Sequence, residues 1–175
     1  PDYSHIPKHI LNQYTMGIVQ TSRGCPYNCE FCDVINYVGR KMRYKSIDTV
    51  MAEIEQLKSF GIPFIFLADD NFSAGREKAK KILQAIQRWN RAQKEPITFS
   101  TQLSIDTAKD KDFLKLAAES GLLRVVVGIE SPNVESLKEA RKYHNLQNDM
   151  IEDLKAFHEY GIMVLGTTIV GFDHD

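Results

Sequence analysis

The sequence predicts an α/β fold with a parallel sheet, because three of its patterns agree. Short apolar runs of strand length alternate with longer amphipathic segments of helical periodicity. The apolar runs are nearly continuous, as in residues 125–127, and such runs are typical of parallel strands covered on both faces. Polar clusters follow the strands in turn. Both an open doubly wound sheet and a closed β/α barrel meet these requirements, and periodicity does not distinguish them.

The alternation gives about five strand–helix units in chain order. The predicted strands are 17–21, 63–68, 97–105, 122–129 and 162–170. The predicted helices are 46–60, 76–91, 110–120, 133–142 and 149–160. Ser46 and Ser73 are expected to cap the first two helices, and Gly61, Gly121 and Gly161 each end a helix. Units of this kind build parallel sheets, because the helix returns the chain to the start of the next strand.

Polar residues fall where each predicted strand ends. In chain order these clusters are Ser22-Arg23-Gly24, Asp69-Asp70-Asn71, Ser104 with Asp106, Glu130-Ser131 and Gly171-Phe172-Asp173. The carboxyl ends of parallel strands meet at one edge of the sheet, where the active sites of such folds lie. One cluster alone is also typical of an ordinary helix N-cap, but five in register predict a site.

Composition excludes several classes of protein. Of 175 residues, 43% are hydrophobic and 26% charged, with 10 Gly and 6 Pro, which excludes a disordered, collagen-like or low-complexity chain. Lys and Arg number 22 against 23 Asp and Glu, and this net charge of −1 provides no basic field for nucleic acid. No apolar run approaches the roughly 20 residues that cross a bilayer, and residues 1–5 lack the form of a signal peptide. We therefore expect a cytoplasmic location.

The cysteines are the sharpest feature of the sequence. Cys25, Cys29 and Cys32 all lie within eight residues, in the spacing C-x3-C-x2-C. A secreted disulfide scaffold has an even number of cysteines at wider spacing, so the pattern favours metal or redox chemistry. Iron–sulfur cubanes are bound by four thiolates, and three would leave one iron open to a small molecule.

Two other uses of these cysteines stay open at this point. A structural zinc site needs a fourth ligand, which His5 or His9 could supply. A thioredoxin-like pair of Cys29 and Cys32 is the other alternative, although it leaves Cys25 unexplained. Three inert buried cysteines are disfavoured, because the loop that contains them is polar.

The cysteine loop, with an aromatic residue before its last cysteine, resembles that of the radical S-adenosylmethionine (SAM) superfamily. Several motifs are similar to the branch with an N-terminal cobalamin-binding domain: Ser22-Arg23-Gly24-Cys25-Pro26, Gly39-Arg40 with Arg43, Asp69-Asp70-Asn71-Phe72, Gly128-Ile129-Glu130-Ser131 and Gly171-Phe172-Asp173. The resemblance covers residues 15–175 and implies a partial (β/α) TIM-type barrel. It further implies a lead-in segment at 1–16 and a core domain at 17–175. We expect that core to be incomplete at its C-terminus and cut from a longer chain.

The resemblance implies an iron–sulfur cluster with SAM bound to it. Cys25, Cys29 and Cys32 would bind a 4Fe–4S cluster, and the amino and carboxylate groups of SAM would chelate its fourth iron. Phe31 would lie near the adenine, and residues 169–171 would pack against it.

The resemblance also implies which polar residues contact SAM. Asp69, Asp70 and Asn71 stand where the family often has Gly-Gly-Glu. Because the sequence departs from that pattern, the carboxylate that accepts from the methionyl ammonium is either Asp69 or Asp70. Glu130 and Ser131 would reach the ribose or the methionyl carboxylate.

The function that the resemblance implies is radical chemistry. The reduced cluster would donate one electron to the sulfonium of SAM, giving a 5′-deoxyadenosyl radical that abstracts hydrogen from an unactivated carbon. In the cobalamin branch the carbon would then take a methyl group from methylcobalamin, bound by a domain outside this chain. The alternatives are methylthiolation, cyclisation or another radical reaction, and a non-catalytic iron–sulfur or zinc module. Expected partners are a small-molecule substrate and an electron donor such as a flavodoxin or ferredoxin.

Five further polar residues have less specific interpretations. Arg40 and Arg43 form either a solvated charge pair or a surface for an acidic or phosphate-bearing substrate. Gln102, on the third strand, points either into the barrel or away from it. His144 and His158 fall in helical stretches, and we expect them to be surface or packing residues.

Overall fold

The computed structural model describes Tyr3, residues 5–146 and residues 149–175. Its strands are β1 (Gly17–Val19), β2 (Ser22–Arg23), β3 (Arg43–Tyr44), β4 (Phe64–Leu67), β5 (Thr98–Leu103), β6 (Leu122–Glu130) and β7 (Met163–Thr168). Its α-helices are α1 (Lys8–Leu11), α2 (Val34–Tyr37), α3 (Ile47–Ser59), α4 (Arg76–Arg91), α5 (Lys111–Ser120), α6 (Val134–Glu139) and α7 (Met150–Glu159). Short 3-10 turns cover Phe72–Gly75, Ile105–Lys109 and Tyr143–Asn145.

The order of the strands distinguishes between the two predicted architectures. Within the described residues the main sheet has five parallel strands in the order β1-β4-β5-β6-β7, and β2 pairs separately with β3 in antiparallel register. A doubly wound sheet reverses its strand order at a switch point, whereas this order follows the chain throughout. Consecutive parallel strands joined by helices are the arrangement of a β/α barrel. The predicted α/β fold with about five βα units is therefore confirmed, as a partial barrel.

The two faces of the sheet differ in burial. Ile65, Phe99 and Val125 are almost completely buried on the face toward the helices. They belong to one continuous apolar core with side chains of α3, α4, α5 and α7. On the opposite face Ile18 is 50% exposed and Leu165 is 64% exposed. The sequence predicted strands covered on both faces, whereas the described side chains are fully buried on one face and partly exposed on the other.

The helix starts follow the predicted caps in part. Ser46 caps α3, since its Oγ accepts a hydrogen bond from the Thr49 amide at 3.2 Å. Ser73 was expected to cap α4, and this expectation is wrong. It lies in the 3-10 turn before that helix, where its Oγ donates to Asn71 Oδ1 at 3.0 Å, and α4 begins after Gly75 without a side-chain cap. None of the helices in the described part of the chain is long and apolar enough to cross a membrane.

The lead-in segment at 1–16 stays a prediction. Residues 1, 2 and 4 of it lie outside the described residues. Its described part contains the single turn α1, in which Leu11 is buried.

Candidate functional site

The polar clusters of the sequence meet around a cavity of about 340 Å³ at the carboxyl edge of the sheet. The loop after β2 contributes five lining residues to it: Cys25, Tyr27, Cys29, Phe31 and Cys32. The strand ends and the residues just after them contribute Asp70, Asn71, Gln102, Ser104 and Glu130, and the segment after α6 contributes Lys142 and His144. The structure therefore brings together residues that are more than a hundred positions apart in the sequence.

The cysteine loop, residues 25–32, is tied to its surroundings through backbone groups. The Cys25 amide donates to the Gly39 carbonyl at 3.3 Å, and the Gly24 amide donates to Asp70 Oδ2 at 3.0 Å. Gly24 has a φ of 105°, and a Cβ there would lie 2.6 Å from the Lys41 carbonyl oxygen. Glycine is required at this position, because the loop approaches the segment before β3 too closely for a side chain.

All three thiols are free and half-buried. Burial raises the pKa of the Cys25 and Cys29 thiols, and the Lys142 ammonium acts in the opposite direction on both. Binding of a metal releases the thiol protons, so a cation beside the loop favours the form that binds.

The arrangement of the thiols tests the two metal interpretations. Across the described ranges, no group of three or more His, Cys, Asp or Glu side chains is placed around a common point that would hold one ion. A structural zinc ion needs such a point, and neither His5 nor His9 lines the cavity. In a cubane each thiolate binds a different iron, so three cysteines on the wall of one cavity fit a cluster better than a single ion.

The two aspartates after β4 have different surroundings. Asp69 is buried, and its carboxylate accepts from the amides of Thr21 and Ser22 at 2.6 Å and 3.0 Å. The same carboxylate accepts from both hydroxyls, at 2.5 Å and 2.7 Å. It therefore joins the ends of β1 and β4. Asp70 lines the cavity and accepts from the Gly24 amide. Of the two candidates, the geometry leaves Asp70 facing the site.

Asn71 and Ser104 reach the cavity through a small buried network. Asn71 Nδ2 donates to Ser104 Oγ at 3.2 Å, and Ser73 Oγ lies 3.2 Å from the same oxygen. Gln102 also lines the cavity, as its position on the inner face of β5 requires. The network fixes the edge formed by β4 and β5.

Glu130 ends β6 in a strained conformation and forms a buried ion pair. Its φ is 65°, at a point where the register between β6 and β7 shifts. Its carboxylate accepts from Lys142 Nζ, and the side chains of both residues are at least 90% buried. A Cβ at Gly128 would lie against both charged groups, so the small residue makes room for the pair. The sequence analysis did not identify Lys142, although burying the Glu130 carboxylate is costly without a partner.

Ser131 and residues 169–171 lie outside the cavity lining. Ser131 Oγ accepts from the Asn133 amide at 3.0 Å, and Asn133 is the residue that caps α6. The Ile169 amide donates to the Glu130 carbonyl at 2.8 Å, while Val170 is 91% exposed. The cofactor contacts expected for these residues stay predictions that the cavity geometry does not support.

His144, expected to be a surface or packing residue, packs against the cysteine loop and also lines the cavity. Its ring stacks on Tyr27, with 3.9 Å between ring centroids and 21° between the planes. Burial and, to a smaller extent, the Lys142 ammonium together lower the pKa of His144 to about 4, against an opposing effect of Asp106. The imidazole is therefore neutral at pH 7. His158 is exposed on α7, as expected.

Arg40 and Arg43 act on the shape of the loop rather than on the cavity. Arg40 Nη2 donates to Asn28 Oδ1 of the cysteine loop, and Arg43 Nη2 donates to the Val38 carbonyl at 2.7 Å. Neither side chain lines the cavity, and both are exposed.

Comparison with known proteins gives the context of this site. The Radical SAM superfamily profile matches residues 19–175. An uncharacterized methyltransferase of Synechocystis sp. is 34% identical over 164 residues, which are 93% of this chain and 31% of that protein. The Hopanoid C-2 methylase of Rhodopseudomonas palustris is 32% identical over 174 residues, 97% of this chain and 33% of that protein. The chain thus spans about a third of the length of these relatives.

Solved structures share the fold. The methyltransferase TsrM from Kitasatospora setae, with cobalamin and a [4Fe-4S] cluster bound, superimposes with a TM-score of 0.81 at 22% identity. The match covers 94% of this chain and 32% of TsrM. The cobalamin-dependent radical enzyme OxsB, with aqua-cobalamin and S-adenosylmethionine bound, gives a TM-score of 0.74 at 22% identity, over 90% of this chain and 25% of OxsB.

Proposed function

Because the chain belongs to the radical SAM superfamily, we propose that its cavity binds a 4Fe–4S cluster through Cys25, Cys29 and Cys32, with SAM beside it. The observation that carries the proposal is the composition of one cavity wall. Three half-buried thiols line the same cavity as a carboxylate, a buried ion pair and an exposed aromatic ring. Three thiolates leave one of the four irons of a cubane without a protein ligand. A chelating cosubstrate can bind at that iron.

A cluster held by Cys25, Cys29 and Cys32 would supply the single electron that cleaves SAM to methionine and a 5′-deoxyadenosyl radical, which would take a hydrogen atom from the substrate. The chain's own residues bind, orient and shield the reactants. Val34, Leu103 and Val126 form the apolar part of the cavity wall, which limits the access of water to a reactive carbon radical.

Asp70 is proposed to accept hydrogen bonds from the methionyl ammonium of SAM. Its carboxylate lines the cavity, and the Gly24 amide holds one of its oxygens in place. Asp69 supports this position from behind, because its four hydrogen bonds fix the ends of β1 and β4. Asn71, in the buried network with Ser104, is proposed to set the edge of the same subsite.

Glu130 and Lys142 are proposed to bind the other polar parts of SAM. Glu130 provides an acceptor for the ribose hydroxyls, and Lys142 provides a cation for the methionyl carboxylate. Phe31 is 46% exposed at the cavity, which leaves its ring available to the adenine. Lys142 Nζ lies 5.7 Å from the centre of the same ring, so the polar and aromatic contacts lie side by side.

The reaction proposed for the whole protein is a cobalamin-dependent radical methylation of a small molecule. Methyltransferase names recur among relatives of 27% to 34% identity. A putative methylthiotransferase of Methanocaldococcus jannaschii is 25% identical, so methylthiolation is the second candidate. Both reactions require a one-electron donor such as a flavodoxin or ferredoxin, and we propose that they take place in the cytoplasm.

Anaerobic reconstitution with iron and sulfide tests the proposal. We expect about four irons per chain with brown absorbance. Dithionite and SAM should then give 5′-deoxyadenosine. Replacing Cys29 by Ser should abolish both the brown absorbance and the formation of 5′-deoxyadenosine. The control variant His158→Ala, at an exposed position on α7, should leave both unchanged. A colourless protein that binds zinc instead would overturn the proposal. The group that is transferred separates the two reactions. Methyl transfer that requires added methylcobalamin would indicate methylation, and methylthio transfer without it would indicate methylthiolation.

A further inference from the structure

The cysteine loop contacts a segment that lies far from it in the sequence. This segment, residues 140–144, follows α6, and we name it the strap. The Glu30 amide donates to the Ala140 carbonyl at 2.9 Å. The Glu30 carboxylate also pairs with Arg141, with Nη1 2.9 Å from Oε2. Backbone and side chain of one loop residue thus both contact the strap.

Two aromatic residues of the loop contact the strap as well. The Tyr27 ring stacks on the His144 ring, 3.9 Å apart between centroids, and the Phe31 ring lies 5.7 Å from Lys142 Nζ. Offset stacking and cation–π contacts of this kind are directional, so they orient the two rings as well as bury them. The loop residues that contact the strap are Tyr27, Glu30 and Phe31. Tyr27 lies between Cys25 and Cys29, and the other two lie between Cys29 and Cys32.

The strap itself is rigidly supported. Arg141 has a φ of 52°, the left-handed conformation that commonly ends a helix, and it closes α6. The Lys142 amide donates to the Leu137 carbonyl at 2.9 Å. Just beyond the strap, Asn145 Nδ2 donates to the carbonyls of Gly128 and Ile129 at 3.0 Å and 3.1 Å, which fixes it to β6.

We propose that the strap positions the cysteine loop, with His144 acting through Tyr27 and Arg141 acting through Glu30. The start of the loop is held by the Cys25 amide on the Gly39 carbonyl and by the preceding Gly24 amide on Asp70 Oδ2, and the strap holds residues 27–31. The spacing of the three thiols thus depends on a segment that contributes no thiol. Its consequence for an iron–sulfur cluster rests on the proposed function, whereas its effect on the loop does not.

Thiol labelling of the apoprotein tests the first contact without any cluster. His144→Ala removes the stacked ring, His144→Phe keeps an aromatic ring there, and His158→Ala is the control on an exposed histidine. We expect alkylation of residues 25–32, followed by mass spectrometry, to be about 3- to 10-fold faster in His144→Ala. The Phe variant should return to the wild-type rate. Equal rates in His144→Ala and wild type, or equal acceleration in the Ala and Phe variants, would overturn the proposal.

Iron release from the reconstituted protein tests the second contact. Arg141→Ala removes the partner of Glu30, and Lys138→Ala breaks the exposed pair with Glu135 on α6 as the matched control. A chelator should extract iron about 2-fold faster from Arg141→Ala only, a modest effect because the pair is half-exposed. Identical release from both variants would count against the strap. A wild-type protein that takes up no iron contradicts the proposed function, and the labelling result then decides on the strap alone.

Discussion

Two buried carboxylates near the cavity are satisfied in different ways. Asp69 lies behind the cavity, at the end of β4, and accepts from two amides and two hydroxyls, all of Thr21 and Ser22. On the wall formed by β6, Glu130 is satisfied by one ammonium group, that of Lys142. The first arrangement uses neutral donors that belong to the fold. The second uses a charge from a distant segment, and both of its members line the cavity.

The difference shows how one sheet edge serves both stability and binding. Neutral donors to a buried carboxylate leave no group free for a ligand, so Asp69 holds the framework. A lone buried ion pair contributes little net stability, because desolvation offsets most of its attraction. Its members remain able to exchange partners when a ligand with complementary charges enters. We therefore expect loss of Asp69 to act on folding, loss of Lys142 to act on both folding and binding, and loss of the Asp70 charge to act on binding.

The largest effect is expected for Asp69→Ala. The substitution leaves the buried amides of Thr21 and Ser22 without an acceptor, and should lower the free energy of unfolding by about 3–5 kcal/mol. Chemical denaturation measures this, with exposed Asp112→Ala as the control. A loss below about 1 kcal/mol would contradict the framework role of this carboxylate.

Lys142→Met should follow, because it leaves Glu130 buried without a cation. The expected loss is about 3 kcal/mol in the free energy of unfolding. Adding Glu130→Gln to the same chain should recover most of that loss, since the uncompensated charge is then gone. Lys155→Met, which breaks an exposed pair on α7, is the matched control. If the double variant is no more stable than Lys142→Met, the buried pair is not the cause.

The pH dependence of stability reports on His144, whose ring stacks on Tyr27 in the cavity. His144 has a pKa of about 4 when folded, against 6.5 in the unfolded chain, because burial and then the Lys142 ammonium lower it, with Asp106 opposing. Between these values the unfolded chain binds the proton and the folded chain does not, so stability decreases as the pH falls from 6.5 toward 4. His144→Phe should remove about 2 kcal/mol of that decrease between pH 7 and pH 4.5. Parallel stability curves for the two proteins would contradict this.

The smallest effect is expected for Asp70→Asn. The amide oxygen can still accept from Gly24, so folding should change little, but the negative charge toward the cavity is lost. We expect SAM to bind about tenfold more weakly to the reconstituted protein, as measured by equilibrium dialysis. Asp33→Asn, at an exposed position just after the cysteine loop, should bind as the wild type does. Equal SAM affinities in the two variants would contradict the assignment of the methionyl ammonium contact to Asp70.

Much of the fold was predictable because βα units are encoded locally. The apolar runs and helical periodicity placed all five strands of the main sheet, and the predicted helix 76–91 has the bounds of α4. The ends were less predictable. The strand predicted at 97–105 stops at Leu103, because Ser104 turns into the buried network and Ile105 begins a 3-10 turn. Periodicity does not reveal such side-chain contacts.

The candidate site was predictable in the parts that short spacing encodes. The three cysteines and the strand-end carboxylates follow from motif spacing and strand order. Whether Asp69 or Asp70 faces the cavity depends on how one residue turns at the end of β4, which the sequence does not specify. Lys142 and His144 escaped detection because they enter the site through tertiary packing of the strap, far from the cysteine motif in sequence.

The most direct test of the central claim is the electron paramagnetic resonance spectrum of the reduced, reconstituted protein with and without SAM. If Cys25, Cys29 and Cys32 leave one iron open in this cavity, reduction should give the signal of a 4Fe–4S cluster, and SAM should shift that signal by binding the iron. Lys142→Met should weaken the SAM-dependent shift while retaining the cluster. A cluster signal that SAM leaves unchanged, or no cluster signal at all, would contradict the account.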